Sequence, residues 1–294
     1  MIIRCLAQRP GALQPLVARA SRRAPRCTRT YTVPTLQNHN DLQRHGISGL
    51  LSRKGFNTAY TVYQQHMIDE LNASTDGTPY ENQEPKSLVI EFARDPTKAY
   101  AFNIASMAFN NHFFFRGINV NPDVQSQPSQ DLTAQIRKDF SSVDTLRESF
   151  LSTAEAMFGP GFVWLVQTND SHIGSLRILP TYLAGSPLSG AHYRRQSHDL
   201  NTHNADSYQA LNKVGSFGAA AKQNNQPKKP LGGIDVIPLL CVNTWEHVWL
   251  KDFGMLGKRK YLEAWWDKID WGFVRDNATL ISRNDQTPKQ FEYE

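Results

Sequence analysis

The chain has 294 residues, 40% of them hydrophobic and 20% charged, enough for a sizeable core in one or two domains. No apolar run approaches the ~20 residues of a membrane-spanning helix, so no membrane partner is expected. The formal net charge is +5, yet residues 1–31 hold seven arginines and no acidic residue, leaving 25 Lys and Arg against 27 Asp and Glu; a remainder near −2 excludes a protein that grips nucleic acid mainly through its phosphates, which takes many cations.

In chain order, Arg4, Arg9, Arg19, Arg22, Arg23, Arg26 and Arg29 lie among Leu, Ala and Ser. Residues 1–31 thus have the composition of a mitochondrial transit peptide, with cleavage expected near Tyr31–Thr32; the alternative is a basic arm that stays attached. Residues 32–46 are polar and read as an extended arm. Apolar residues Leu50, Leu51, Tyr60, Tyr63, Met67, Ile68 and Leu71 predict a helix over 47–72, kinked near Gly55. The turn formers of 74–85 end it. A second helix is predicted over 96–115, where Ala99, Phe102, Ala105, Met107, Phe109 and Phe113 make most of its surface apolar. The two helices form an antiparallel hairpin domain, 47–122, followed by a polar link over 121–130.

The second domain, 131–280, begins with short helices. Ser141 or Ser142 caps the one that carries Leu146, Phe150, Ala154 and Met157, and Gly159 stops it. Strands are predicted over 162–167 and 175–182, joined by a turn at Asn169, Asp170 and Ser171, and over 234–242, where Pro238 favours a strand beginning or an edge. Helices follow over 246–252, 258–268 and 271–277, an α+β arrangement. The domain is interrupted by a polar insert, 189–232, in which Arg194, Arg195, Lys213, Lys222, Lys228 and Lys229 stand against Asp199 and Asp206, a net +4. It reads as a long loop offering a docking segment to RNA or protein, or as a solvated loop touching nothing. Residues 281–294 form a C-terminal tail with Arg283 and Lys289. Cys5 and Cys27 fall in the first 31 residues, so Cys241 remains alone. It cannot build a disulfide framework or a zinc site and reads as a small buried hydrophobe beside a strand.

Several segments, in order, resemble the iron/manganese superoxide dismutases. They are Phe109-Asn110-Asn111-His112-Phe113-Phe114-Phe115, Phe158-Gly159-Pro160-Gly161-Phe162-Val163-Trp164-Leu165-Val166, Ala184-Gly185-Ser186-Pro187-Leu188, and Ile237-Pro238-Leu239-Leu240 through Asn243-Thr244-Trp245-Glu246-His247. Tyr261-Leu262-Glu263-Ala264-Trp265-Trp266, with Asp270-Trp271, closes the set. The resemblance spans about 45–278 apart from the insert. It implies an α+β fold of an N-terminal helical hairpin and a C-terminal domain with a three-stranded antiparallel sheet and helices.

The same resemblance implies a metal site of three histidines and an aspartate, a donor set suited to cycling between two oxidation states. Carried onto this chain, those positions fall on Ala59, Asn111, Asn243 and His247, so only one ligand persists. Met67 stands at the active-site tyrosine position, and Met107 or Ala184 at that of the outer glutamine whose hydrogen bonds tune such a site. His112 would replace Asn111 only if the register slipped by one residue; otherwise it is a satisfied helix histidine. The expectation is therefore no cofactor and no catalysis. Glu246 and His247 are expected at a dimer-type interface, unless Trp245 merely packs the core and its neighbours are incidental. A mitochondrial protein of this kind is similar to the superoxide-dismutase-like proteins of the fungal mitochondrial small ribosomal subunit. That similarity implies other small-subunit proteins as partners, a dismutase-like paralogue as pairing partner, and limited rRNA contact through 189–232. The alternative is a mitochondrial iron or manganese dismutase with an atypical site.

Overall fold

The computed structural model describes residues 31–93, 95–121, 126–168, 174–188 and 236–279. Residues 1–30 of the expected transit peptide, the turn at Asn169–Ser171, the 189–232 insert and the 281–294 tail lie outside the described residues.

The arm expected to be extended through residue 46 is so only at its start. It carries a short helix, α1 (His39–His45), in which Leu42 is the buried residue. The Asn38 carbonyl accepts Asp41 N and Leu42 N, each at 3.0 Å, and Gly46 N closes the turn on Leu42 O at 2.8 Å. Seven residues are too few for a stable isolated helix, so the anchoring of Leu42 in the core sustains it.

The first long helix starts later than predicted. Ile47 and Leu51 instead close a tight bridge, with Ile47 N donating to Leu51 O at 2.8 Å. Ser52 then caps α2 (Arg53–Phe56) by accepting Gly55 N at 3.0 Å. Gly55 does not itself kink the chain; the irregularity follows it as a π-helical segment, Asn57–Val62, before α3 (Tyr63–Thr75). What Gly55 provides is clearance, because a Cβ there would collide with the Asp252 carboxylate. Helix α4 (Pro85–Phe92) was not anticipated. Pro85 ends the run of turn formers but sits at the helix start, where its missing N–H has no intrahelical role, and Leu88, Val89 and Phe92 are buried. A 3₁₀ turn (Pro96–Lys98) leads into α5 (Ala99–Arg116). Contacts of Tyr60 with His112, Gln64 with Ala108 and Glu70 with Tyr100 run in opposite chain directions, so the hairpin is antiparallel.

Helices α6 (Gln130–Phe140) and α7 (Val143–Ala156) open the second half, and Ser142 supplies the cap of α7 by accepting Thr145 N at 3.0 Å. The sheet consists of β1 (Gly161–Thr168), β2 (Ser175–Tyr182) and β3 (Val236–Asn243), antiparallel in the order β2-β1-β3. Every residue of the central β1 is buried. Pro238 lies on the edge strand β3, opposite Val166, where the register shifts and Leu239 is the extra residue. Cys241 is buried in β3 opposite Trp164, and burial pushes its thiol well up from the ordinary range. Helices α8 (Glu246–Phe253), α9 (Lys258–Trp266) and α10 (Trp271–Asn277) complete the α+β half.

One hydrophobic cluster runs from Leu36 to Val274 and joins the halves. Phe113 of α5 packs against Trp164 of β1 and Phe273 of α10, with ring centroids 5.6 and 5.3 Å apart. Asn119 N to Lys268 O (2.7 Å) and Asp270 N to Gly117 O (2.9 Å) stitch the hairpin's exit to the C-terminal helices.

Candidate functional site

Where the π segment, α3, α5 and the end of β3 meet, three carboxamides are fully buried: Gln64, Asn111 and Asn243. Asn111 is the centre. Its Nδ2 donates to Ala59 O at 3.2 Å and to Gln64 Oε1 at 3.0 Å, and its Oδ1 accepts Asn243 Nδ2 at 3.2 Å. Gln64 Nε2 donates to Ala108 O at 2.9 Å, and Asn243 Oδ1 accepts Trp245 N at 2.9 Å. The Tyr261 hydroxyl holds the Asn243 carbonyl at 2.8 Å. Ala59 and Asn243, distant in sequence, are thus both brought within direct hydrogen-bonding reach of Asn111.

His247, on the first turn of α8, is nearby but is not bonded to the amides. Its ring stacks on Tyr63 at 4.2 Å and lies 5.8 Å from Trp245. His247 Nε2 and Trp245 Nε1 are buried with no hydrogen-bond partner among the described residues. Burial lowers the His247 pKa to about 4 and pushes Tyr63 up to about 12, so both are neutral at physiological pH. Met67 and Met107 are buried core residues, and Ala184 is half-buried.

Helix histidine His112 has a partner, with Nδ1 2.9 Å from the Tyr60 hydroxyl. That hydroxyl donates to Pro34 O at 2.7 Å. A hydroxyl has one proton, so His112 donates from Nδ1 and is the Nδ1–H tautomer. Burial first, and the Arg116 charge second, bring its pKa down to about 4. A groove of about 710 Å³ passes alongside, touching Gln64, His112, Phe109, Phe113 and Arg116 but not Asn111 or Asn243.

Glu246 is exposed on the first turn of α8. Its charge bears on Lys258, whose Nζ reaches Met157 O at 3.0 Å. The next residue, Phe158, is 97% exposed. Leu183, 58% exposed, is tied to the same turn through its N–H to Pro160 O at 2.9 Å. Leu256, two residues before Lys258, is wholly exposed. Glu246 and Lys258 are thus linked to the turn that exposes Phe158. Arg194, Arg195, Lys213, Lys222, Lys228 and Lys229 lie outside the described residues.

Gln64 was missed in the sequence. The signal was present, since it lies four residues from both Tyr60 and Ile68, on the stripe that faces the core. Chemically, the cluster consists of mutually hydrogen-bonded amides that neither titrate nor accept electrons near neutral pH. Among the described residues no group of three or more His, Cys, Asp and Glu side chains is placed to hold a metal ion.

Residues 128–195 and 194–277 match the family described as iron/manganese superoxide dismutases, C-terminal domain. Small ribosomal subunit protein mS43 of Schizosaccharomyces pombe is 27% identical over 259 residues, covering 86% of both chains. Small ribosomal subunit protein mS42 of the same organism is 28% identical over 247 residues, 80% of this chain and 93% of that one. A superoxide dismutase [Fe] of Nostoc sp. is 30% identical over 156 residues, 53% of this chain and 73% of that enzyme.

Proposed function

We propose that this chain, which belongs to the iron/manganese superoxide dismutase family, is a non-catalytic structural component of the mitochondrial small ribosomal subunit. The observation that carries the reading is the amide cluster. On the ligand positions that the family resemblance gives, Ala59 has no donor atom. Asn111 and Asn243 offer amides already bonded to each other, to Gln64 and to Trp245 N. One imidazole, His247, is left. A redox metal needs anionic or imidazole ligands in number, and this set does not fit one. Three of four ligands are replaced, and no dismutation step can be drawn through these residues.

What remains is a scaffold, and the names of the two Schizosaccharomyces pombe relatives indicate where such a scaffold is used. The arginine-rich start addresses it to the matrix. The near-neutral balance of the rest favours contacts to other small-subunit proteins, with rRNA contact concentrated in the 189–232 insert. Glu246 and His247, together with the exposed Phe158, Leu183 and Leu256, form the pairing surface for a dismutase-like paralogue. Exposed apolar residues around a small number of charges suit a protein interface.

Sedimentation of mitochondrial lysate through a gradient, with and without magnesium, tests the assignment. Comigration with small subunits is expected. Sedimentation at the mass of a free chain or dimer under both conditions refutes the ribosomal role. Metal analysis and a superoxide assay on the pure protein test the loss of chemistry, and stoichiometric iron or manganese with activity would reinstate an enzyme. For the pairing surface, Glu246→Ala is expected to weaken capture of the dismutase-like partner; unchanged capture excludes the bridge.

A further inference from the structure

We propose that the amides of Gln64, Asn111 and Asn243 are more than the residue of a lost metal site: they form a metal-free cross-link that takes over the structural work of an ion, locking the helical hairpin to the end of the sheet. The idea rests on the reading that Ala59, Asn111 and Asn243 stand at ligand positions, while the bonds themselves are independent of it.

An ion bound by residues from several elements ties those elements together, and its binding free energy becomes folding free energy. Removing it leaves those elements without their common tie. Here the chain of bonds runs from Ala108 O through Gln64 (2.9 Å), Asn111 (3.0 Å) and Asn243 (3.2 Å) to Trp245 N (2.9 Å), with a branch to Ala59 O. It touches the π segment, α3, α5, β3 and the residue that opens α8. Both halves of the molecule are held by one connected set.

The residue types follow from the geometry. Asn111 must give two hydrogens to two carbonyl-type oxygens and accept one from Asn243. A carboxamide carries a two-hydrogen donor and an acceptor on one short side chain. Aspartate in its place would set a carboxylate against Ala59 O and Gln64 Oε1. Leucine would orphan Gln64 Oε1 and Asn243 Nδ2 where no water reaches them. All three amides are fully buried, and none of their nitrogen or oxygen atoms is among the buried polar atoms that lack a partner. The neighbouring Asn110, equally buried, has no partner for its Oδ1 among the described residues. Each nitrogen and oxygen of the trio thus has at least one partner, which is not true of every buried amide on α5.

A double-mutant cycle on the purified full chain tests the cross-link. Asn111→Leu and Asn243→Leu should each lower Tm by roughly 5 °C, because each strands buried partners. The double variant should lose clearly less than the sum, since the stranded partner is itself removed. Strict additivity would overturn the cross-link. Should those variants fail to fold, Gln64→Met at the end of the chain of bonds is the milder perturbation. It should speed hydrogen exchange of the Trp245 amide by about tenfold, an effect passed on through Asn111 and Asn243. Unchanged exchange there would mean that Gln64 only packs, and would overturn the proposal. A chelator should leave the wild-type Tm unmoved; a lowered Tm would refute the metal-free reading instead, separating its failure from failure of the cycle.

Discussion

Acid sensitivity of the isolated chain follows from two half-buried histidines. His112 and His247 are both held near a pKa of about 4, principally by burial, against about 6.5 in an unfolded chain. Both are neutral when folded. Between those two values the unfolded state binds more protons than the folded one, so stability falls as pH is lowered through the window and levels off below it. At pH 5 an unfolded histidine is almost wholly protonated and a folded one about a tenth so, which costs about 2 kcal/mol per residue, or ~4 kcal/mol for the pair. For a chain of this size that is a Tm drop of roughly 8–16 °C between pH 8 and pH 5. Calorimetry of the purified chain at half-unit pH steps measures it. His112→Gln, which keeps a donor for Tyr60, and His247→Gln should each remove about half of the drop. The reasoning fails if both substitutions together leave the pH dependence as steep as in wild type.

Three further outcomes are expected. Gly161→Ala should destabilise by about 1–3 kcal/mol, because its Cβ would run into the Thr181 carbonyl and the Met157 side chain at the start of β1; a neutral effect on urea unfolding contradicts the close approach. Arg259 bonds Glu148, Glu155 and Glu263 at 2.9–3.3 Å, all on partly exposed surface, so Arg259→Ala should lower Tm by only roughly 2–4 °C, shrinking in high salt. A salt-independent loss would show that the arginine works through packing. Phe158→Ala should leave the isolated chain's Tm unchanged, because the residue is already 97% exposed, and should weaken partner capture about tenfold or more; full-strength capture removes Phe158 from the pairing surface.

Much of the α+β half was legible because its signals are local. Alternation and turn formers bracket Ser175–Tyr182, and Trp271–Asn277 follows Asp270, whose carboxylate accepts Gly272 N and Phe273 N as a cap. Helix α4 was lost because Pro85 reads equally as a terminator and as a first helical residue. The late start of α2 depends on the Ile47–Leu51 bridge, a pairing that periodicity cannot distinguish from the first turn of an amphipathic helix. At the site, Asn111 and Asn243 could be marked individually from their motifs. Their mutual bond spans 132 residues, and Gln64 lies outside every motif used to find them. Tertiary placement alone reveals that these amides complete one another.

Why three amides should be buried together has a physical answer in the backbone groups around them. Ala59 lies in a π turn and Ala108 in the middle of α5, and both carbonyls face the buried space and accept side-chain donors. Apolar replacements would fill the volume but strip those carbonyls of a side-chain donor and leave the Trp245 N–H without its acceptor, the latter costing about 1–3 kcal/mol. Amides meet these demands at near-equal volume and without charge. No hydrogen bond joins the trio to His247, whose Nε2 has no partner among the described residues and whose ring stacks on Tyr63 instead. The Trp245-Glu246-His247 stretch is divided: Trp245 N belongs to the amide chain, while Glu246 is exposed, as the proposed pairing surface requires. Substitutions on the two sides should act independently, with Asn243→Leu lowering Tm while sparing partner capture per folded molecule, and Glu246→Ala doing the reverse. Loss of capture in folded Asn243→Leu protein would show that the two sides are one device.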